Sequence, residues 1–541
     1  MKSNDFFPRI ESKQKWAFAS CVLIMLVTHL YMFTNKLPNH DDVNRLLVGD
    51  TDEVKIQHGR WAGVIFDRIS GNSVSIPYVM GVLSILAFAA TAVVLVALFR
   101  IEHKLSIALL CGLLCTFPVS ANIFLYGYIA DAYFISMFLA AWGVWLLTRE
   151  KLAGDICGVM LLTLSCGCYQ AFWCMGIALL FLYYFMDFVN VKNEWKAYAV
   201  RVAKCLGWTA ASLMLYLIVN KIVQTATGYG ATDYQGLSAM GQFGGVRDFI
   251  KIVVYAYYEF VQFFYLKGGF TGSHLLIAVN AVLTMLVIFM VIRRAKEHKR
   301  SVWYWVVLVL FAGLIPMAFN LISVVSMNQT HVLMQYTFLM PYIMCLALAD
   351  ECMGKVMKQE TFSESSAAQD GAKSTVVNRA ICPAACVLLF FVAYSGFLTD
   401  NAIYFRQQLN YEATYSYTVR LLSRIETMEG YEPSIPVAFI NETPQYNDHI
   451  TIMAENYPED MEYFNYLSGM AGTEPRTFVK RANDIADFCK YYHGYDLKLY
   501  DMTMLSELAE TKEFQEMPTY PQDGGMRYID GALVIKVSDA K

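Results

Sequence analysis

The sequence predicts an α-helical membrane protein that crosses the bilayer about eleven times and ends in a small α/β domain. Three observations predict it. Of 541 residues, 56% are hydrophobic and only 16% charged, against about a quarter charged in a typical soluble chain. The apolar residues gather into runs near the ~20 residues that a helix needs to span hydrocarbon. The basic residues gather between alternate runs, as the positive-inside rule requires of the cytoplasmic side.

The apolar runs fall at 16–33, 75–99, 105–121, 129–148, 155–170, 171–188, 202–222, 275–292, 303–325, 334–352 and 380–399. The stretch 155–188 is too long for one span and predicts a helical hairpin, with Gly167 and Gly176 as the breakers. Segment 249–266, FIKIVVYAYYEFVQFFYL, carries Lys251 and Glu259 among many aromatics and predicts a helix lying in the interface. A twelfth span is the alternative there. Lys13 and Lys15 precede the first span. Arg100 and Lys104 follow the second, Arg149 and Lys151 the fourth, and Lys192, Lys196, Arg201 and Lys204 the sixth. Further clusters follow the eighth (Arg293, Arg294, Lys296, Lys299, Arg300) and the tenth (Lys355, Lys358, Lys373, Arg379). With eleven spans, all share one side, so the N-terminus is expected inside and the C-terminus outside.

The expected domains are therefore 1–399 in the membrane and 400–541 outside it. The first contains an external loop at 34–74 and a second external segment at 223–274. The linker SESSAAQDGAKS lies between the last two spans. In the tail, SIPVAFI (434–440) and GALVIKV (531–537) read as buried strands. EPRTFVKRANDIADFCKYY (474–492) and TMLSELAETKEF (503–514) read as helices, the latter with Thr503 as its cap. Nearly all of the 13 cysteines lie in apolar runs, where thiols pack as small hydrophobes. No Cys/His spacing suits zinc. A net charge of −4 and scattered basic clusters argue against nucleic acid.

The chemistry concentrates in PNHDDVNRLLVGD (38–50), just beyond the first span. Asp41 and Asp42 stand there side by side, followed by Arg45, then HGRW (58–61) with His58 and Arg60, then Asp67 and Arg68. The stretch can form short helices with apolar faces on the membrane and polar faces on a cavity. A carboxylate so placed suits a general base that takes a proton from an attacking hydroxyl. Arginine suits a lipid phosphate, because its planar fork binds bidentately and stays charged. The plainer reading of an aspartate pair after a helix is a solvated turn or a cap.

HDDVNRLLVGD and QHGRW resemble the first external loop of the bacterial lipid-dependent glucosyltransferases of the GtrII kind. YGYIADAYFISMFLA (126–140), CGCYQAFW (166–173) and DNAIYFRQQLNYEATYSYTVRLLSRIE (400–426) resemble them more weakly. The resemblance implies a GT-C architecture with a catalytic carboxylate, Asp41 or Asp42, in that loop, with Arg45 and Arg60 as companions. It implies transfer of a hexose, most often glucose, from a polyprenyl-phosphate donor to an extracytoplasmic O-antigen or other surface-polysaccharide acceptor. It places the enzyme in the bacterial cell membrane and implies no nucleotide sugar at the site.

Other candidates lie nearby. Asp131 opens the fourth span and either binds donor or acceptor hydroxyls or serves as a helix N-terminal carboxylate. Tyr169 and Gln170, at the hairpin bend, either orient a sugar or form a buried hydrogen-bonded pair. Lys267 either steers phosphate or snorkels. His331, before the tenth span, is a phosphate or sugar contact or a structural histidine. Two adjacent carboxylates suit Mg²⁺, but no third ligand is evident, and no cofactor or essential metal is expected. A flippase for lipid-linked saccharides is the alternative function, yet charges near the midplane and repeat symmetry are not evident. A glycan polymerase or ligase shares the multi-span plan, but is expected to centre on a later loop.

Overall fold

The computed structural model describes residues 6–38, 42–43, 52–71, 74–190, 195–232, 244–266, 273–297, 300–362, 369–441 and 482–537. Helices dominate. The described residues contain nine helices long and apolar enough to cross a membrane, and two shorter apolar ones, Lys104–Cys115 and Leu152–Cys168. The chain is a multi-pass membrane protein. Each apolar run read from the sequence overlaps a helix, although 105–121, 303–325 and 334–352 are each divided among shorter ones: Ser12–Thr34 (α1), Pro77–Phe99 (α4), Lys104–Cys115 (α5), Ala130–Leu147 (α7), Leu152–Cys168 (α8) and Gln170–Asn190 (α9) come first. Trp195–Thr227 (α10), His274–Lys296 (α12), Val302–Gly313 (α13), Met340–Phe362 (α16) and Gln369–Glu426 (α17) follow. Short helices Asp52–Gln57 (α2), Trp61–Ser70 (α3), Val119–Phe124 (α6), Ile315–Phe319 (α14) and Leu321–Val325 (α15) complete the bundle, with Val246–Tyr265 (α11).

Polar contacts sort the helix ends into two sets. At one end Lys13 pairs with Glu102 at 2.7 Å, Arg201 with Asp187 at 3.1 Å, Lys204 with Asp155 at 2.7 Å and His103 with Asp350 at 2.8 Å; Arg294 pairs with Glu351. At the other end the 34–74 loop meets the starts of α7 and α9, the far end of α10 and the middle of α17. Such sorting is what alternating crossings produce. One face of α11, with Ile252, Ala256, Phe260 and Phe264, packs inward, and Val254, Tyr258 and Val261 are exposed on the other. That two-faced pattern suits an interfacial helix.

The hairpin breaks at Tyr169, which is extended (φ −157°, ψ 114°) between α8 and α9. Gly176 lies within α9 and breaks nothing, because flanking residues of a buried helix keep its hydrogen bonds intact. Gly167 serves packing instead, since a side chain there would run into the Trp61 ring. The expected linker also begins a helix: α17 starts at Gln369 and continues unbroken to Glu426. Extending an existing helix avoids a new nucleation step.

The C-terminal elements build a three-stranded sheet from Val437–Asn441 (β1), Met526–Ile529 (β2) and Ala532–Val537 (β3), in the order β1-β3-β2. β1 runs parallel to β3 and β2 antiparallel to it. Asp530 and Gly531, both at positive φ, turn the β2–β3 hairpin, as a two-residue Asp-Gly loop favours. Val437, Phe439, Leu533 and Ile535 face Ala482–His493 (α18) and the end of α17. Ala438, Ile440 and Val534 face Leu505–Glu510 (α19) and Lys512–Gln515 (α20). Thr503 is not the helix cap. Asp501 accepts from the Thr503 amide at 2.9 Å ahead of a 3₁₀ turn, and Thr511 splits the expected helix by capping α20, because a carboxylate or a hydroxyl at an extended position captures free amides better.

Candidate active site

The loop after α1 folds back on the bundle. α2 and α3 meet at a turn formed by His58, Gly59 and Arg60. Gly59 takes φ +70°, and the Tyr216 hydroxyl and Gln170 amide occupy the space a side chain would need. Gln170 Nε2 donates to His58 O at 2.9 Å and to the Tyr216 hydroxyl at 3.2 Å. Tyr216 donates to Gly59 O at 3.1 Å. The turn is thus pinned to α9 and α10. Inside it, Lys55 of α2 pairs with Asp67 of α3, with only 2% and 3% of their side chains exposed.

This pinning aims Arg60 at α7 and α8. Its Nη1 donates to the Tyr133 hydroxyl at 2.8 Å, and its guanidinium lies 5.1 Å from the Tyr169 ring centre. Tyr133 and Tyr169 stack at 3.9 Å, nearly parallel. The result is a half-buried guanidinium held over an aromatic pair, a geometry that fixes the direction of the cation.

Asp131 is buried in the first turn of α7, and Ser70 and Asp67 are its electrostatic neighbours. Its Oδ2 has no hydrogen-bond partner among the described residues. Asp42 is 1% exposed. Its Oδ1 accepts from the Tyr128 amide at 3.1 Å and its Oδ2 from the Gly127 amide at 3.3 Å. Two such bonds stabilise the ionised carboxylate and occupy lone pairs a general base would use.

Among the sequence candidates, the fold brings together His58, Arg60, Tyr169 and Gln170. Asp131 stands two residues from Tyr133, whose hydroxyl Arg60 holds, and Asp42 binds the segment just before α7. His331 is exposed at the head of a 3₁₀ helix, Val332–Leu339, and no hydrogen bond among the described residues ties it to the cluster. Asp41, Arg45 and Lys267 lie outside the described residues. The sequence reading passed over Lys55, Tyr133 and Tyr216, and over Arg406, which is 3% exposed on α17. Its neighbour Gln407 donates to Pro38 O at the root of the loop. Among the described residues no group of three or more His, Cys, Asp or Glu side chains is placed to hold a metal ion.

Residues 30–346, more than half of the chain, match the family model described as glucosyl transferase GtrII. No curated protein and no solved structure matches the chain.

Proposed function

Because the chain belongs to the GtrII glucosyltransferase family, we propose that it moves a glucosyl group from a polyprenyl-phosphate donor to an extracytoplasmic glycan, with inversion at the transferred carbon. The family match carries this reading, since 30–346 contains the acidic loop, Arg60, Asp131 and the Tyr133–Tyr169 pair. The chain crosses the bacterial cell membrane eleven times in GT-C fashion, N-terminus inside and C-terminal unit outside. The two-ended sorting of polar contacts supports that count.

In this mechanism the acceptor hydroxyl attacks the anomeric carbon from the face opposite the phosphate. A new carbon–oxygen bond forms as the bond to the phosphate oxygen breaks. The electron pair leaves with polyprenyl phosphate, and the acceptor proton passes to a first-loop aspartate. Asp41 is the base, and Asp42 anchors the loop through the Gly127 and Tyr128 amides. Arg60 binds the carrier phosphate, its fork preset by Tyr133, while charge builds on the leaving oxygen. Asp131 offers Oδ2 to a sugar hydroxyl. No metal is required.

The test uses membranes holding matched amounts of wild type, Asp41→Ala and Asp42→Ala, supplied with radiolabelled polyprenyl-phosphate glucose and acceptor glycan. Labelled glycan and free polyprenyl phosphate are expected from wild type alone. Full activity in both variants refutes the assignment.

A further inference from the structure

Val43, the residue after Asp42, does not join the membrane core. It is 1% exposed and belongs to the apolar core of the C-terminal unit, with Leu421, Ile425, Phe439, Phe488 and Ile535. Neighbouring residues of the acidic loop are therefore held by two different bodies. The Asp42 carboxylate is fastened to backbone amides just before α7, and the Val43 side chain is sunk among the residues of α17, α18 and the sheet.

The side of the C-terminal unit that receives Val43 is rigidly built. Phe488 and Tyr492 of α18 stack at 4.3 Å and 11°, and Tyr411 of α17 lies 5.8 Å from Tyr492. His493 Nε2 lies 2.7 Å from the Thr418 hydroxyl, tying the end of α18 to α17. The Tyr492 hydroxyl is buried with no hydrogen-bond partner among the described residues. Burial, then Tyr411 and the Asp42 carboxylate, push its phenol above the ordinary value. A side chain of the C-terminal unit thus feels the charge of the acidic loop.

We propose that the C-terminal unit is a working part of the active site: by burying Val43 it sets where the acidic loop holds its carboxylates, and Val43, Phe488 and Tyr492 are positioning residues for transfer. The proposal rests on the glucosyltransferase reading. It differs from a role in which the unit merely binds glycan, because the loop itself is its ligand.

Three full-length variants test it: Val43→Ala, Phe488→Ala and the two combined, in membranes at matched protein levels. A base displaced by about 1 Å loses on the order of 100-fold in rate. Each single variant is expected to lower kcat by about that factor with little change in KM for polyprenyl-phosphate glucose. The double variant loses no more than the worse single one, because both act through the same apolar core. Val43→Ile, which keeps a branched apolar side chain, recovers activity relative to Val43→Ala. Losses that multiply in the double variant, a rise in KM alone, or full activity in Val43→Ala overturn the proposal. A second measurement separates it from the activity it rests on. Trypsin cleavage at Arg45, followed on the intact membrane protein, is expected to quicken in Val43→Ala and in Phe488→Ala. If wild type transfers no glucose, the functional reading fails, and this cleavage still decides the coupling; equal cleavage in wild type and variants overturns it.

Discussion

Breaking the Lys55–Asp67 pair gives the sharpest test of how the α2–α3 part of the first loop is held. Both side chains are almost wholly buried, at 2% and 3% exposure. An exposed pair would contribute little, about 0–1 kcal/mol. In a buried pair, removing one partner strands the other charge away from water, at a cost of about 3–5 kcal/mol. Asp67→Ala removes a buried partner of Lys55 and should destabilise the α2–α3 hairpin by up to that amount. The opening equilibrium would shift by roughly 10²-fold to several thousand-fold, since 1.4 kcal/mol is about tenfold. Replacing both partners, as Lys55→Met with Asp67→Leu, strands no charge and should cost far less. Amide hydrogen exchange, read by mass spectrometry on peptides covering 52–70 in detergent micelles, reports this local opening directly. The single variant should lose protection there while α4 and α7 keep theirs, and the double variant should regain most of it. A single variant that changes exchange less than threefold would refute the claim that the buried pair sets the hairpin's stability.

Arg60→Lys keeps the charge but loses the fork held by Tyr133 and the stacking on Tyr169; kcat/KM for polyprenyl-phosphate glucose should fall about 10- to 100-fold, and unchanged kinetics would exclude Arg60 from phosphate binding. Asp42→Asn keeps one accepting oxygen but turns an amide donor toward the other backbone N–H, so tryptic cutting of the loop should quicken, whereas Asp41→Asn should abolish transfer and leave cutting unchanged; the reverse pattern would exchange their roles. Burial lowers His493 below the ordinary histidine value near 6.5. The unfolded chain then binds the extra proton first, so the stability from this group is present above about pH 6.5 and is lost as pH falls toward the folded value. Protection factors in 482–493, exchange rates corrected for the intrinsic fall with pH, should drop between pH 7 and 5 in wild type and less in His493→Gln; identical pH profiles would remove His493 from the account.

The helices were legible because lipid imposes a length and a charge pattern that composition alone displays. Their meeting points were not. Tyr216 sits in the long α10 with no local mark of its role; only the third dimension brings its hydroxyl to Gly59. Lys55 and Asp67 are 12 residues apart, and neither periodicity nor spacing signals that both are buried. Gly167 was read as a breaker because glycine commonly ends helices, but here it makes room for Trp61. The β2–β3 hairpin carried its signal in Asp530–Gly531 and went unread beside the stronger apolar run that follows. Arg60, Tyr169 and Gln170 were visible because their positions coincide with breaks in the hydropathy pattern, where polar side chains reach inward. Which aspartate is held on backbone amides was not visible, since adjacent carboxylates look alike in the sequence.

α17 has one further consequence. At a rise of about 1.5 Å per residue, its 58 residues form a strut of roughly 87 Å, anchored in the membrane at one stretch and in the sheet-bearing unit at another. This one helix therefore joins the sheet-bearing unit to the apolar bundle, while the α2–α3 hairpin is held separately through α9 and α10. A thicker bilayer would slide one against the other. On the proposal made for Val43, lipid chain length would then act on sugar transfer without any change in the donor itself.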